Sequence, residues 1–405
     1  MIAPRPAEAT VAIATGILGK STETGARRHV AQLFGGQTVV VCDRIEPGTA
    51  LLRPTFVCAP SGLPGQVEAL AGRAAGHLRF GVPGVPFGRT RRQLEQFLRG
   101  QHAVAILCEF GHVACRLAPV GEALGIPVFA YFRGFDASKR LREPKIVRRY
   151  AATLPRLAGV FAVSQFLIDN LARHGLRHPR SVVIPTGVDT TLFRPGEKDP
   201  NLLLAVGRII AKKAPLLTLQ AFAEAAAAAP AARLEIIGDG EMRADCEAMV
   251  AAHGLTDRIL FHGARDHDFV RQRLARAGIF LQHSLTDEAG NTEGLPTAIQ
   301  EAMACGAVVV STRHAGIPEA VTDGETGLLV AEGDVAGFAG AIARLLADPV
   351  GVAAMAGRAR EVAVARFDVT RLHARLEGLI AAECARRGLP SPSGYRSDQT
   401  AAAEA

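Results

Sequence analysis

The chain has 405 residues, of which 48% are apolar and 21% charged, with a formal net charge of +7. That balance excludes a disordered or fibrous chain, and the length fits two or three domains of ~100–200 residues each. The positive excess favours anionic partners such as nucleotide phosphates or acidic lipid surfaces, within what a mildly basic soluble protein also shows.

Short apolar runs follow one another from the N-terminus. VAIAT (11–15), TVVVC (38–42), AVAILC (103–108), PVFAYF (127–132), GVFAVS (159–164) and SVVIP (181–185) read as buried strands. Between them, residues 68–99 are rich in Gly and Arg and are expected to form a mobile connection, and 139–149 (KRLREPKIVRR) is a second basic run. The segment PTGVDTTLFRPGEKDPN (185–201) is rich in Pro, Gly and Asp and precedes a fresh series. LLLAVG (202–207), LEIIGDG (234–240), RILFHG (258–263), IFLQHS (279–284) and AVVVST (307–312) make up that series. Residues 341–387 are helical by pattern, and the small, polar tail from Pro390 is expected to be disordered.

Continuous apolar strands separated by helical stretches imply parallel sheets covered on both faces. Eleven or more strands fit two sheets better than one. The expected fold is therefore α/β, with two Rossmann-like domains and ligands at the carboxyl ends of the strands, in a cleft between the domains. The expected divisions are 1–187, 188–365, a C-terminal helix at 366–389 and the tail 390–405, with the C-terminal helices expected to cross back to the first domain. The seven cysteines are scattered, with no Cys-x-x-Cys pair, which suits a reduced cytosolic compartment. The N-terminus has no secretory layout, and no apolar run reaches the ~18 residues of a membrane span. A cytoplasmic location is expected, with any membrane contact peripheral and at the inner face.

Chemistry concentrates at residues 287–330. Glu293 and Glu301 bracket a turn, Gly294-Leu295-Pro296, and the start of a helix that Gly306 is placed to end after roughly three turns. Such a turn aims backbone N–H groups at an anion, and the neighbouring carboxylates can accept hydrogen bonds from hydroxyls. Phosphate plus polyol describes a nucleotide sugar. Arg208 stands at the end of a strand with Lys212 and Lys213 just beyond, cations able to neutralise a diphosphate leaving group. GDGEM (238–242) supplies Gly238 and Gly240 as a tight turn beside a nucleotide, or as a turn with no ligand.

The first Gly-rich stretch, ATGILGKSTETG (14–25), contains Gly19-Lys20-Ser21, the end of a P-loop pattern, but Ala14 stands where its first glycine belongs. A turn offering N–H groups to a diphosphate, or a plain tight turn, are the competing readings. His283 reads as a satisfied structural histidine, and no histidine shows metal-ligand spacing.

GRIIAKK, GDGEM, the Glu293–Glu301 pair, GIPE and DGETGLLV, in that order, resemble the retaining glycosyltransferases of family four, which have the GT-B fold. IPTGVDTTLFRP resembles that family's interdomain segment. In the first half, STET and FGHVACRLAPVGEALGIPVFAYFRGFD are similar to members that build bacterial surface polysaccharides of the exopolysaccharide and colanic-acid type. The resemblance implies roles. Arg208 and Lys213 would bind the donor diphosphate, Glu293 would face the donor sugar, and Glu301 would hold the ribose. Gly294, Leu295 and Pro296 would meet phosphate and sugar, and Gly16 and Gly19 would close over the donor. It implies no metal and no cofactor beyond a nucleoside diphosphate sugar as donor. It also implies a glycan or lipid-linked acceptor, no nucleic acid, and a hexosyl transfer. One departure is Arg133-Gly134-Phe135-Asp136, where the family often has a histidine before Gly-x-Asp. Arginine cannot release a proton, which leaves Arg133 and Asp136 as contacts for an acceptor or an acidic sugar. A catalytically silent sugar-nucleotide-binding protein and a P-loop phosphotransferase are the alternative functions.

Overall fold

The computed structural model describes residues 8–19, 24–58 and 62–397. Its internal contacts divide into two units. Unit 1 takes the described residues up to Val163, then Leu167–Ile184, then those from Arg371 onward; unit 2 takes Ser164–Phe166 and Pro185–Thr370. The change at Pro185 falls at the start of the Pro/Gly/Asp-rich segment, and the last helix belongs to unit 1 from Arg371.

Unit 1 holds a parallel sheet of seven strands: β1 (Thr10–Leu18), β2 (Thr38–Ile45), β3 (Thr55–Val57), β4 (Ala103–Glu109), β5 (Val128–Phe132), β6 (Gly159–Ala162) and β7 (Ser181–Val183). Their order is β3-β2-β1-β4-β5-β6-β7. Its helices are α1 (Thr24–Gln32), α2 (Gly62–Phe80), α3 (Gly88–Gly100), α4 (Gly111–Leu124), α5 (Pro144–Thr153) and α6 (Gln165–Arg173), the last of which begins in unit 2's share. β5 and β6 are buried along their whole length, which is why their sequence does not alternate.

Unit 2 holds six parallel strands: β8 (Asp199–Val206), β9 (Arg233–Ile237), β10 (Ile259–Gly263), β11 (Ala277–Gln282), β12 (Val308–Thr312) and β13 (Gly327–Val330). They run in the order β10-β9-β8-β11-β12-β13. Helices α7 (Pro215–Ala226), α8 (Arg243–Ala252), α9 (His267–Arg276), α10 (Thr297–Ala304), α11 (Ile317–Ala320), α12 (Val335–Ala347) and α13 (Pro349–Phe367) complete it, and α14 (Val369–Arg386) leads into unit 1. One core of Leu203, Phe222, Leu234, Ile279, Val308, Val310 and Phe338 fills the space between sheet and helices.

The start of unit 2 is fastened to its end. The Arg360 guanidinium donates to the carbonyls of Thr190, Phe193 and Ala304, and the Val188 N–H donates to Phe367. Gln300, fully buried on α10, accepts from the Gly187 N–H at 3.0 Å. The chain entering the unit is thereby tied to the helix that carries Glu301.

Four expectations change. Residues 68–99 are not a mobile connection: they form most of α2 and α3, and only 81–87 join them. The glycines that suggested mobility serve packing, since a side chain at Gly72 would meet Phe87 and one at Gly76 would meet the Val82 carbonyl, both at 2.7 Å. The strands β3 and β13, of three and four residues, lie at sheet edges. α10 has eight residues, just over two turns at ~3.6 residues per turn rather than three, and Pro296 is its N-cap. The segment from Pro390 is placed as far as residue 397, with the Ser393 N–H bonded to the Ala9 carbonyl at 2.8 Å; residues 398–405 lie outside the described residues.

Candidate active site

In unit 2 the site begins where β8 ends. Gly207 has φ +147, and the loop after it carries Arg208 to the surface. A tight turn at Ala211–Lys213 and a left-handed Ala214 (φ 41) then feed Pro215 into the first turn of α7. The GDGEM turn holds this loop from the side. Gly207 N–H donates to Ile237, Ile209 N–H to Asp239 and Met242 N–H to Ile209, at 2.9–3.1 Å. A side chain on Gly238 would run into the Gly207 carbonyl, and one on Gly240 into that of Ile209. Both glycines therefore permit two backbones to touch, and they shape the Arg208 loop by doing so.

The loop returns Lys212 and Lys213 to Glu293. Lys213 Nζ lies 3.0 Å from Glu293 Oε1, and Lys212 Nζ lies 3.4 Å from Oε2. Burial alone would raise the Glu293 carboxyl, but Lys213 and Lys212 overcome it and hold it at about 2. Lys213 moves oppositely: burial lowers its ammonium, and Glu293 opposes that. Arg208 is exposed, and its side chain has no ion pair or hydrogen bond among the described residues. Arg208 and Lys213 line one hollow of about 40 Å³ with Gly207, Thr218, Leu281 and Gln282. That volume suits a water or a phosphate oxygen, not a whole nucleotide.

Glu293 is set by a neighbour that the sequence did not single out. His314 Nε2 accepts from the Glu293 N–H at 3.0 Å, and its Nδ1 meets Glu332 at 2.7 Å. The Nδ1–H tautomer satisfies both bonds. Behind it the Gly316 N–H donates to the Gly294 carbonyl at 3.1 Å, so GIPE braces the turn before α10. Gly294, Leu295 and Pro296 are buried in that turn. The N–H groups of Gly294 and Leu295 make no hydrogen bond among the described residues. Glu301 is 5% exposed, not a surface residue of the helix. Lys213 links Arg208 to Glu293, since it shares a hollow with the first and an ion pair with the second. His283 is fully buried, accepts from the Gly333 N–H at 3.0 Å and packs on Phe338, a structural role.

In unit 1, Gly16 lies near the carboxyl end of β1, and Gly19 has φ +92 with Thr49 occupying the place of a side chain. Lys20 and Ser21 lie outside the described residues. The P-loop reading loses its loop all the same: Ala14 is a fully buried strand residue, paired with Val41 and Cys108. Asp43, in the neighbouring strand β2, is ion-paired to Arg116 rather than left for a magnesium ion.

Arg133 and Asp136 also acquire other tasks. Glu109, fully buried at the end of β4, contacts Arg133 Nε and His29 Nδ1, each at 2.5 Å. Burial would raise Glu109, yet Arg133 and His29 hold it at about 2; burial lowers His29. Arg133 also lies over the Tyr131 ring at 4.2 Å. Its charge is matched inside the protein. Asp136, fully buried, accepts from the N–H groups of Gly111, Arg133 and Gly134 at 3.0–3.1 Å. Both its oxygens are committed to backbone, so it clamps the turn rather than touching an acceptor.

Two Rossmann-like units, one carrying clustered cations and a buried carboxylate at its strand ends, define a glycosyltransferase of the GT-B class. Residues 189–362 match the family described as Glycosyl transferases group 1, and residues 35–192 match Glycosyltransferase Family 4. WcaL of Salmonella typhimurium, named for colanic acid biosynthesis, is 30% identical over 275 residues, covering 67% of this chain and 68% of that one. The amylovoran biosynthesis glycosyltransferase AmsK of Erwinia amylovora is 31% identical over 225 residues, 53% of this chain and 54% of its own. Among solved structures, Anabaena HepE in complex with UDP and glucose matches 93% of this chain and 100% of its own, with a TM-score of 0.75 at 18% identity. This chain belongs to glycosyltransferase family 4 and is a hexosyltransferase-type enzyme.

Proposed function

We propose that the enzyme transfers a hexosyl group from a nucleoside diphosphate sugar to a hydroxyl of a glycan or lipid-linked acceptor, with retention, in the synthesis of a bacterial surface polysaccharide. The observation that carries this reading is the convergence of Lys212 and Lys213 on Glu293 beside the Gly294–Pro296 turn, with Arg208 sharing a hollow with Lys213. The relatives named for colanic acid and amylovoran support the pathway, and HepE, solved with UDP-glucose, supports the donor class.

In the proposed step the bond between the anomeric carbon and the diphosphate oxygen breaks, and the electron pair leaves with the nucleoside diphosphate. The acceptor oxygen bonds the same carbon on the same face and passes its proton to the departing phosphate oxygen. Arg208 and Lys213 stabilise the charge that develops there, and the free N–H groups of Gly294 and Leu295 meet phosphate or sugar. Glu293 keeps the two lysines in place and faces the sugar hydroxyls, while Glu301 holds the ribose. No resident metal or cofactor enters the scheme. A thermal-shift screen against UDP-, GDP- and ADP-sugars tests it: stabilisation by one of them is expected, because a ligand that binds only the folded state raises the melting temperature. If none stabilises the protein, the reading fails.

The acceptor side of the reading includes peripheral contact with anionic membrane at the cytoplasmic face. No single helix among the described residues is long and apolar enough to cross a membrane. The exposed apolar residues Leu51, Leu52, Val57, Leu70, Leu78 and Phe87 fall in the same stretch as Arg53, Arg73, Arg79, Arg89, Arg91, Arg92 and Arg99. Arg79, Phe80, Phe87 and Arg92 line a groove of about 570 Å³ between α2 and α3. Apolar groups with a basic rim suit an anionic bilayer, at ~1 kcal/mol per basic residue. The basic run at 139–149 contributes less, since Glu143 pairs with Arg140 and Lys145. Flotation with vesicles containing phosphatidylglycerol, lost in Arg79→Ala/Arg92→Ala, is the expected result; flotation indifferent to phosphatidylglycerol refutes it.

A further inference from the structure

His112 of unit 1 has no task in the scheme above. It is the second residue of α4, just beyond the end of β4. β1 and β4 are neighbours in the sheet, and the chain proceeds from β1 to one side and from β4 to the other. Their carboxyl ends therefore flank the switch point where open α/β sheets receive ligands. A side chain built on Gly16 of β1 would lie 3.9 Å from His112 Nε2, so the imidazole edge looks onto that switch point. The backbone is strained beside it: Phe110 has φ +91, a conformation that non-glycine residues keep only where the surroundings enforce it.

Two rings flank the imidazole. Phe110 stacks on it at 5.7 Å and 22°, and Phe135 lies at 5.9 Å and 50°. Phe135 is 37% exposed. Nδ1 of His112 is buried and has no hydrogen-bond partner, and Nε2 has none among the described residues. A buried N–H without an acceptor is costlier than a lone pair facing rings, so the proton belongs on Nε2, the outward nitrogen. Burial, helped by Arg140 and Arg116, holds this imidazole down at about 4. At neutral pH it is an uncharged donor that faces the switch point and has no vacant outward nitrogen to act as a base.

We propose that His112 is a positioning residue for the acceptor sugar: Nε2–H donates to a hydroxyl oxygen of a pyranose whose apolar face lies on Phe135. The proposal rests on the glycosyl-transfer reading above and assigns the carbohydrate-recognising groups of unit 1. The acceptor hydroxyl keeps its own proton for the departing phosphate oxygen, so His112 loses none.

The test uses the full-length enzyme with ¹⁵N-labelled histidine and octyl glycosides of glucose, galactose and mannose as probes. The His112 signal, assigned by its loss in His112→Gln, is expected to show the Nε2–H tautomer and to move with at least one glycoside. In His112→Phe, which keeps the ring packing, glycoside affinity and acceptor KM weaken about tenfold, the value of one net hydrogen bond. His112→Gln, which retains a donor, recovers most of that, and the donor KM stays unchanged in both. An Nδ1–H tautomer, no response to any glycoside, or equal losses in Phe and Gln variants overturns the proposal. Those outcomes are distinct from failure of the function itself, which shows as no stabilisation by any nucleotide sugar.

Discussion

Glu293→Gln removes one negative charge from between two ammonium groups and leaves the shape of the site nearly unchanged. The carboxyl stands at about 2 in the folded protein, against an ordinary value of 4.5. A depressed carboxyl contributes stability that is fully present above its unfolded value and lost as pH falls through the folded one. At pH 7 that difference is worth ~3 kcal/mol, and by pH 3 it has shrunk to less than half. An independent route reaches a similar size, since removing one partner of a buried ion pair costs ~3–5 kcal/mol. Lys213 adds to the loss, because burial already disfavours its ammonium and Glu293 is what opposes that. Urea denaturation of wild type and variant between pH 7 and pH 3 measures the gap, as does a melting temperature lower by ~6–12 °C at pH 7 for a unit of this size. The expected signature is a gap that narrows as pH falls. A variant as stable as wild type at pH 7, or a gap that widens in acid, refutes the account of Glu293 as a carboxylate held by lysines.

Arg208→Ala is expected to separate stability from turnover. With no partner among the described residues it should melt within ~0.5 kcal/mol of wild type, while transfer from the nucleotide sugar falls ~10²–10³-fold; near-normal turnover rejects its role at the leaving group. Gly240→Ala forces a methyl against the Ile209 carbonyl, so urea denaturation should show a loss of ~1–3 kcal/mol, with a raised donor KM because the Arg208 loop is displaced. Glu109→Gln leaves Arg133 buried without its carboxylate and should cost ~3–5 kcal/mol, whereas Glu109→Gln with Arg133→Met should cost less than that single change; equal losses in the two would show that no such pair exists in solution.

Most of the fold was readable because the strands are buried on both faces. Runs such as AVVVST have no polar alternation to confuse, and each of the eleven expected strands is present, shifted by a few residues at its ends. The two that escaped, β3 and β13, are edge strands of three and four residues. The helices α2 and α3 escaped for a different reason. Glycine lowers intrinsic helix preference by ~1 kcal/mol, and at Gly72 and Gly76 that cost is set against close packing on Phe87 and Val82, a contact that no local pattern announces.

The site divides along the same line. Arg208, Lys213, Glu293 and Glu301 could be proposed from the sequence because charged residues among apolar strands and helices stand out by type. His314 and Glu332 could not, because what matters is which backbone N–H the imidazole reaches. Arg133 shows the converse. Its type gave a cation beside a suspected ligand, but whether a cation is available depends on what is buried against it. Glu109 follows directly on the apolar run AVAILC, and only the pairing of β4 with β5 brings its carboxylate under the guanidinium. A charge already matched inside the sheet cannot also be the main anchor for an anionic ligand, which leaves recognition at these strand ends open to uncharged groups. The outward N–H of His112 and the exposed face of Phe135 are such groups, and they sit at the switch point.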